Sequence, residues 1–248
     1  MHEALRTMTE NLCGVFEEAR FERRDGYDLL LFPPVPVPQF NAVWPLADEA
    51  APKLADALEE IRDLALPYSV QVRRGRTPAF EGEAERLGLT AEEPMPGMVA
   101  TPDVLGTPDT PELEILRVET ADGLAQALAI AAAGFGAPPD MLAPLYLLEV
   151  AAVEGLSYYL GRVDGRDVST SVGYTVGDTV GVFNVATPPE HRGRGYGAAL
   201  TVEAAREGFA AGAGLAWLQA SSMGLSVYRR LGFREAEEYV LLTRPEAP

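Results

Sequence analysis

The sequence has little of what covalent cross-links and metal sites require. It contains one cysteine, Cys13, and two histidines, His2 and His191, in 248 residues. A single cysteine excludes an internal disulfide framework, and the two histidines are too far apart along the chain to give a metal-ligand spacing. The sequence therefore predicts no metal site.

Long apolar segments are also missing. The longest mostly apolar run, residues 141–153, is interrupted by Pro144 and Glu149, and it is shorter than the roughly 20 residues that a membrane-spanning helix needs. The N-terminus has no cationic stretch followed by an apolar region, as a signal peptide would have. We therefore expect a soluble, cytoplasmic protein with no membrane partner.

Basic side chains are scarce as well. The sequence has 20 Lys and Arg residues against 37 Asp and Glu residues, which gives a formal net charge of −17. Affinity for nucleic acid depends on basic side chains that neutralise phosphates, so we expect no nucleic-acid partner. The acidity either serves solubility alone or favours a cationic small molecule. The sequence leaves both interpretations open.

Proline and glycine, in contrast, are plentiful, with 20 and 24 residues. Two segments are dense in proline, residues 32–38 and 94–111. Prolines remove backbone donors and favour extended connections, and the second segment is typical of an interdomain linker. We place a boundary within it, which gives an N-terminal domain at 1–108 and a C-terminal domain at 109–248.

Hydrophobic periodicity predicts helices and strands in both domains. Helical spacing marks residues 49–64, 79–87, 122–133, 197–211 and 226–231. Strand patterns mark residues 67–72, 114–118, 158–163, 168–174, 179–187, 215–220 and 239–243. Consecutive strands joined by short turns favour antiparallel pairing. The pattern as a whole predicts an α+β fold with mixed, mostly antiparallel sheets flanked by helices.

A weak internal repeat relates the two halves. Residues 40–45, Phe-Asn-Ala-Val-Trp-Pro, resemble residues 183–188, Phe-Asn-Val-Ala-Thr-Pro, and 86–89 resemble 230–233. The halves are then two copies of one fold, although short matches also arise by chance. In the first copy Ala84 occupies the position of Tyr228, so we expect the N-terminal copy to be degenerate.

A glycine-rich loop lies between the strand predicted at 179–187 and the helix predicted at 197–211. Its sequence at 192–197 is Arg-Gly-Arg-Gly-Tyr-Gly. This order points successive backbone N–H groups, and the positive end of a helix dipole, at one place, as anion sites do. Glycines let the backbone approach a phosphate closely, and Arg192 and Arg194 can pair with phosphate oxygens.

The loop also satisfies the Gly-x-Gly-x-x-Gly/Ala pattern of dinucleotide-binding folds. That fingerprint requires an acidic residue about 20 positions later, at the end of the next strand, to hold a ribose. The corresponding strand here ends with Gln219, and Ser221 follows shortly after. The antiparallel strands before the loop also argue against a dinucleotide site.

Together with a second motif, the loop resembles the acetyl-coenzyme A signature of the GCN5-related N-acetyltransferases. The second motif is Tyr-Arg-Arg-Leu-Gly-Phe at 228–233, after the strand at 215–220. The detailed resemblance covers about residues 180–235. It implies that 109–248 is a catalytic domain, that 1–108 is a degenerate copy, and that acetyl-coenzyme A is the cosubstrate without a metal. The cofactor-binding residues that it implies are Val185, Ala186, Thr187, Arg192, Gly193, Arg194, Gly195, Tyr196, Gly197 and Ser221.

The resemblance also implies a chemistry. The strand end at 185–187 would pair with the pantetheine arm and offer a backbone N–H to the oxyanion, and Tyr228 would be the general acid that protonates the departing thiolate. The sequence departs from many relatives at Ser221, where they carry asparagine. We assign no general base, because Glu149, Glu154 and Asp178 are all most simply solvated or turn carboxylates.

Three functions remain open at this stage. The first is transfer of an acetyl group to a primary amine of a small molecule or peptide. The second is a module that binds acetyl-coenzyme A without turnover, and the third is an acyltransferase that uses a longer acyl group. The identity of the acceptor and the oligomeric state, monomer or homodimer, are not determined by the sequence.

Overall fold

A computed structural model describes residues 1–245, so the last three residues of the predicted C-terminal domain, 246–248, lie outside it. The chain forms two compact units. Unit 1 contains Met1–Leu12 and Met98–Arg234, and unit 2 contains Cys13–Gly97 and the residues from Glu235 onward. Each unit thus takes segments from both halves of the chain. The boundary at 108 that the sequence suggested stays a prediction about the two copies.

The described residues form eight α-helices, eleven β-strands and short 3-10 turns. The helices are α1 His2–Cys13, α2 Leu54–Arg62, α3 Pro78–Arg86, α4 Ala121–Phe135, α5 Pro139–Leu142, α6 Leu148–Ala151, α7 Tyr196–Ala210 and α8 Leu225–Arg230. The strands are β1 Arg20–Arg24, β2 Tyr27–Leu31, β3 Asn41–Pro45, β4 Ser69–Arg73, β5 Ala91–Ala100, β6 Glu114–Val118, β7 Leu156–Val163, β8 Arg166–Val176, β9 Thr179–Ala186, β10 Leu215–Gln219 and β11 Arg234–Thr243. The predicted α+β class is confirmed.

In unit 2 the strands follow the order β1-β2-β3-β4-β11. The β1–β2 and β2–β3 pairs are antiparallel, β3 runs parallel to β4 and β11 runs antiparallel to β4. Helices α2 and α3 contribute to its core, in which Leu54, Ile61 and Phe80 are fully buried. The last strand of the chain therefore completes the sheet of the unit that begins at Cys13.

In unit 1 the strands follow the order β10-β9-β8-β7-β6. Pairing is antiparallel from β6 through β9, and β9 runs parallel to β10. Helix α7 packs closely on this sheet because small residues face it: a Cβ added at Gly208 would lie 2.4 Å from the Cβ of Val180, and one added at Gly161 would lie 2.8 Å from Leu200. The last turn of α7 is thereby held beside the start of β9, and Leu200 lies against β7.

Helix α4 has clear start and stop signals. The hydroxyl of Thr120 accepts a hydrogen bond from the N–H of Gly123 at 3.1 Å, and the helix ends at Gly136, which has a left-handed φ of 67°. Such caps satisfy the unpaired backbone groups of the helix ends. The last turn packs tightly, since a Cβ added at Gly134 would lie 2.8 Å from Ala186. The C-terminus of α4 therefore lies against the end of β9.

The two units share a local plan. In unit 2, β3 is antiparallel to β2 and parallel to β4, and α3 follows β4. In unit 1, β9 is antiparallel to β8 and parallel to β10, and α8 follows β10. Both helices end in a left-handed glycine, Gly88 and Gly232. The N–H of the residue after each glycine donates to a carbonyl of the helix. In unit 2 Leu89 donates to Ala84 at 2.9 Å, and in unit 1 Phe233 donates to Tyr228 at 3.0 Å. This agreement supports the interpretation of the halves as two copies.

The predicted linker at 94–111 is wrong for residues 94–100, which belong to β5. Pro94 and Pro96 are two residues apart, so their missing N–H groups fall on the same side of the strand. The three apolar residues that end β5 are buried. Proline density therefore indicated an extended segment correctly but not a linker.

No single helix among residues 1–245 is long and apolar enough to cross a membrane. Taken together, α4 and the segment Pro139–Tyr146 have the length and apolar composition of a membrane-spanning segment, but the two parts are bent by 115° relative to each other.

Replacing Gly208 by Ala tests the packing of α7 on β9. The added methyl would overlap Val180, and overpacking of this kind costs about 1–3 kcal/mol. Gly82→Ala is the matched control, because Gly82 is also inside a helix and has no neighbouring atom within 4 Å of the added Cβ. We expect urea unfolding to give a destabilised Gly208→Ala protein and a Gly82→Ala protein that is equal to or more stable than the wild type. Equal stability of the two variants would contradict the packing.

Candidate functional site

The candidate site lies at the carboxyl ends of the parallel strands β9 and β10. Their pairing joins Thr179–Gly181 to Leu215–Trp217. Beyond it, the ring of Phe183 packs edge-on against Trp217, with 5.1 Å between the ring centroids. A Cβ at Gly181 would lie 2.6 Å from the Phe183 ring, so glycine at 181 is what admits this ring beside the strand.

A bulge interrupts β9 just before its end. Val172 of β8 pairs with Phe183 of β9, and Thr170 pairs with Ala186. Between these two pairs the chain advances two residues on β8 but three on β9. The extra length is absorbed at Asn184, whose φ of 48° is left-handed. Asparagine tolerates this conformation better than most residues, and bulges bend a strand and redirect its side chains. The bulge therefore sets where the residues of the strand end point.

The strand end is fixed by hydroxyl groups. The buried hydroxyl of Ser169 on β8 donates to the carbonyl of Ala186 at 2.9 Å and lies 2.9 Å from the hydroxyl of Thr187. On the other side, a Cβ at Gly197 in the first turn of α7 would lie 3.3 Å from the Thr187 hydroxyl and 3.5 Å from Val185. The predicted pantetheine-binding residues 185–187 thus lie directly beside the first turn of α7.

The glycine-rich loop forms the entry to α7. After a 3-10 turn at Pro189–His191, Gly193 has a φ of 77° and Gly195, the N-cap residue, has a φ of 84°. Both values are left-handed and favour glycine. The N–H groups of residues 196–198 have no acceptor within the helix, as in any first helical turn. The ring of Tyr196 is buried, so its predicted contribution to a ligand is its backbone N–H.

The two arginines of the loop have different environments. Arg192 donates through Nε to the carbonyl of Thr187 at 3.0 Å, and through a terminal nitrogen to the carbonyl of Gly134 at 2.7 Å. Arg194 is exposed. Arg192 therefore ties the loop to both the strand end and α4, a task that the sequence did not reveal, while its predicted contact with phosphate stays a prediction.

Tyr228 lies on α8 with its ring against Gly224, where an added Cβ would lie 2.7 Å from a ring carbon. Burial raises the pKa of its phenol to about 12, and a hydrogen bond with Thr201 on α7 opposes the rise. Thr201 in turn donates to the carbonyl of Gly197 at 2.8 Å. One buried hydroxyl thus connects the predicted general acid to the first turn of α7.

Ser221 lies between β10 and α8. Its side-chain oxygen accepts a hydrogen bond from the N–H of Gly224 at 3.2 Å, and its carbonyl accepts from the same N–H at 3.0 Å. The hydroxyl is therefore part of the turn that leads into α8, and its contact with pantetheine stays a prediction.

The carboxylates that we left unassigned are spread over unit 1. Asp178 precedes β9 and accepts from Gly214 through its carbonyl, so it lies at the opposite end of that strand, roughly 25 Å from the loop by strand length. Glu154 precedes Gly155, which bonds Thr175 at the same far end. Glu149 is exposed on α6. The first two are therefore not placed to act as general base at the strand end.

Residues 1–245 contain no group of three or more His, Cys, Asp or Glu side chains that could hold a metal ion. The described site instead presents backbone donors, hydroxyl groups and one buried phenol. This set of groups suits an anionic ligand and proton transfer from oxygen.

Comparison with known proteins relates this geometry to one family. Residues 160–236 match the family model of an acetyltransferase (GNAT) domain, a range that contains β8, β9, the loop, α7 and α8. No curated protein sequence matches the chain significantly.

Solved structures share the fold over nearly the whole chain. A GCN5-related N-acetyltransferase from Kribbella flavida is 23% identical with a TM-score of 0.71, covering 98% of this chain and 96% of that one. A tandem GNAT protein from the clavulanic acid biosynthesis pathway is 13% identical with a TM-score of 0.64, covering 99% and 95%. A GCN5-related N-acetyltransferase from Sphaerobacter thermophilus is 20% identical with a TM-score of 0.60, covering 92% and 77%.

The two loop arginines give a matched pair of variants. Arg192→Leu removes two charge-assisted hydrogen bonds to main-chain carbonyls, which should lower the free energy of unfolding by about 2 kcal/mol in ligand-free protein. Arg194→Leu changes an exposed side chain and should alter it by no more than about 0.5 kcal/mol. Denaturant unfolding of both variants checks this difference. Similar stabilities would mean that the bonds of Arg192 do not hold the loop.

Proposed function

We propose that this chain, which carries a GNAT domain and belongs to the GCN5-related N-acetyltransferase superfamily, transfers an acetyl group from acetyl-coenzyme A to a primary amine. The observation that supports this most strongly is the position of the loop. Its left-handed glycines at 193 and 195 open the first turn of α7 directly beside the strand end 185–187, and Tyr228 is linked to that same turn through Thr201.

The residues around the strand end fit coenzyme A. The backbone N–H groups of 193–198 provide an anion site suited to a pyrophosphate, and Arg194 adds an exposed positive charge. Val185, Ala186 and Thr187 offer the edge of a strand to the pantetheine arm, and Ser221 is the next polar residue at the end of β10. Tyr196 contributes through its backbone. We therefore assign all ten cofactor-binding residues of the motif to one site in unit 1.

Acetyl-coenzyme A would supply a thioester, from which the acetyl carbon passes to nitrogen as a C–N bond forms and the C–S bond breaks. Tyr228 is the proposed general acid for the sulfur. With its pKa raised to about 12 by burial, the phenol holds its proton through the whole neutral range. A backbone N–H at 185–187 would stabilise negative charge on the acyl oxygen, which such donors do by roughly 3 kcal/mol. We assign proton removal from the amine to water.

The acceptor is proposed to be the amine of a small molecule or peptide, bound without nucleic acid, membrane or metal. Two carboxylates that could have served as a general base lie at the far end of β9, which keeps a non-catalytic acetyl-coenzyme A-binding module as the second candidate. Transfer of a longer acyl group is the third, and it would appear as stronger thermal stabilisation by propionyl- or succinyl-coenzyme A than by acetyl-coenzyme A.

The direct experiment is an assay of free thiol release from acetyl-coenzyme A with spermidine, kanamycin, tyramine and a short alanine-terminated peptide as acceptors. At least one amine should raise thiol release above the uncatalysed rate. Tight binding of coenzyme A without turnover of any amine would favour the binding module, and absence of coenzyme A binding by the folded protein would refute the proposal.

Tyr228→Phe tests the role of the phenol. The variant keeps the ring that packs on Gly224 and removes the proton donor, so kcat should fall by about 10²-fold or more, while affinity for coenzyme A changes little. Tyr68→Phe, which alters a partly buried tyrosine in unit 2, is the control and should leave kcat unchanged. In the wild type, loss of activity at high pH through Tyr228 should have its midpoint well above pH 10, because burial raises the pKa of the phenol. An unchanged kcat in Tyr228→Phe would remove the phenol from the reaction.

A further inference from the structure

A buried hydroxyl on the α4 side of β9 lacks a satisfactory partner. Tyr146 ends the 3-10 turn Ala143–Tyr146 and is only 5% exposed. Its hydroxyl is fully buried and makes no hydrogen bond of normal geometry among residues 1–245, although the side chain of Asn184 is near enough to act on it. Burial keeps the phenol neutral, because it raises the pKa well above the usual value. A hydroxyl in this state costs stability unless something binds it.

The neighbouring Tyr158 shows the contrast. Its ring packs against the Tyr146 ring with 5.5 Å between the centroids, and it is buried to the same degree. Its hydroxyl, however, donates to the carbonyl of Leu145 at 2.5 Å. One phenol of the pair therefore anchors the turn, while the other presents its hydroxyl toward Asn184. Packing needs alone would be met by phenylalanine at 146.

Asn184 is placed beside Tyr146 by the bulge in β9. Asn184, between Phe183 and Val185, has a left-handed φ of 48°. Val185 packs on the α7 side of the strand, with the core of unit 1. The Asn184 side chain instead lies near enough to Tyr146, in the segment after α4, to oppose the rise that burial causes in the pKa of its phenol, although the two make no hydrogen bond of normal geometry. Bulges often redirect a side chain beside an active site. The redirected side chain here is an amide one residue from the proposed pantetheine strand.

We propose that Asn184 binds the acceptor amine and that Tyr146 positions the Asn184 amide for this contact. The inference rests on the proposed function. The phenol of Tyr228 and the first turn of α7 flank one side of the strand end, so an amine that attacks the same acyl carbon has the side of Asn184 available. The amide oxygen of Asn184 can accept from an amine N–H, and the Tyr146 hydroxyl can fix the orientation of the amide.

This pair also limits the class of acceptor. Neither the amide nor the neutral phenol carries charge, and the charged groups of the segment after α4, Asp140 and Glu149, are exposed. Besides burial, the pKa of the Tyr146 phenol responds to Asn184 and the pKa of the Tyr158 phenol responds to Tyr146, while the Tyr158 hydroxyl donates to the Leu145 carbonyl; none of these groups is charged at neutral pH. A hydrogen-bonding site of this kind holds an uncharged amine, whereas a cation would be left uncompensated. The bound acceptor is therefore a primary amine in its neutral form.

Hydroxylamine is a suitable probe, because it is a small nucleophile that is uncharged at neutral pH and gives a hydroxamate whose complex with added ferric ion is coloured. Asn184→Gly removes the amide while glycine still adopts the left-handed φ, and Tyr146→Phe removes only the hydroxyl. We expect KM for hydroxylamine to rise about tenfold in Asn184→Gly, which loses a hydrogen bond to the substrate, and about threefold or more in Tyr146→Phe, in which the Asn184 amide is no longer oriented. KM for acetyl-coenzyme A should stay unchanged in both.

Tyr158→Phe is the matched control. It removes the hydroxyl of the equally buried partner ring and should lower the melting temperature without changing KM for hydroxylamine. An unchanged hydroxylamine KM in Asn184→Gly and Tyr146→Phe, in a protein whose wild type is active, would overturn this inference and leave the proposed function intact. Should Asn184→Gly fail to fold, the inference is tested by comparing KM for hydroxylamine in Tyr146→Phe, where we expect a rise, with KM in Tyr158→Phe, where we expect none. A wild type that neither binds coenzyme A nor releases thiol would instead refute the proposed function.

Discussion

The docking of the first turn of α7 against the end of β9 is the constraint on which the site depends. The helix approaches the strand so closely at Gly197 that a Cβ added there would lie 3.3 Å from the Thr187 hydroxyl. From the loop, the Arg192 side chain donates a hydrogen bond to the carbonyl of Thr187. Helix dipole, glycine-rich backbone and strand edge then meet at one place. Thr201 extends the same contact to Tyr228, so the anion site and the proposed proton donor are parts of one packed unit.

The proposed N-terminal copy differs from unit 1 in the segment that would correspond to the loop. In unit 2 the residues after β3 form the 3-10 turn Asp48–Lys53, which begins with Asp48 and Glu49. Asp48 accepts a hydrogen bond from the N–H of Ala79 at 2.9 Å, in the first turn of α3. Two acidic side chains repel a phosphate. This asymmetry supports our proposal of one coenzyme A site per chain, in unit 1.

Local signals predicted the site region well, because they concern neighbours in sequence. The helix expected at 197–211 is Tyr196–Ala210, and the strand expected at 114–118 is Glu114–Val118. Long-range pairing was not accessible. Nothing in the local pattern shows that β11 joins β4 in unit 2, or that Arg192 bonds Gly134, which lies 58 residues away. Asn184 did carry a signal, since asparagine within a strand favours a left-handed bulge, whereas the roles of Ser169 and Thr201 depend on contacts that only the fold provides.

Hydrogen exchange with and without coenzyme A tests the central claim most directly, because it locates the ligand without requiring an acceptor. The account predicts slower exchange for peptides that cover residues 183–200 and 221–231, and no change for those that cover residues 41–62 in the degenerate copy. Absence of protection in 183–200, or equal protection in 41–62, would contradict the assignment of a single coenzyme A site at the end of β9.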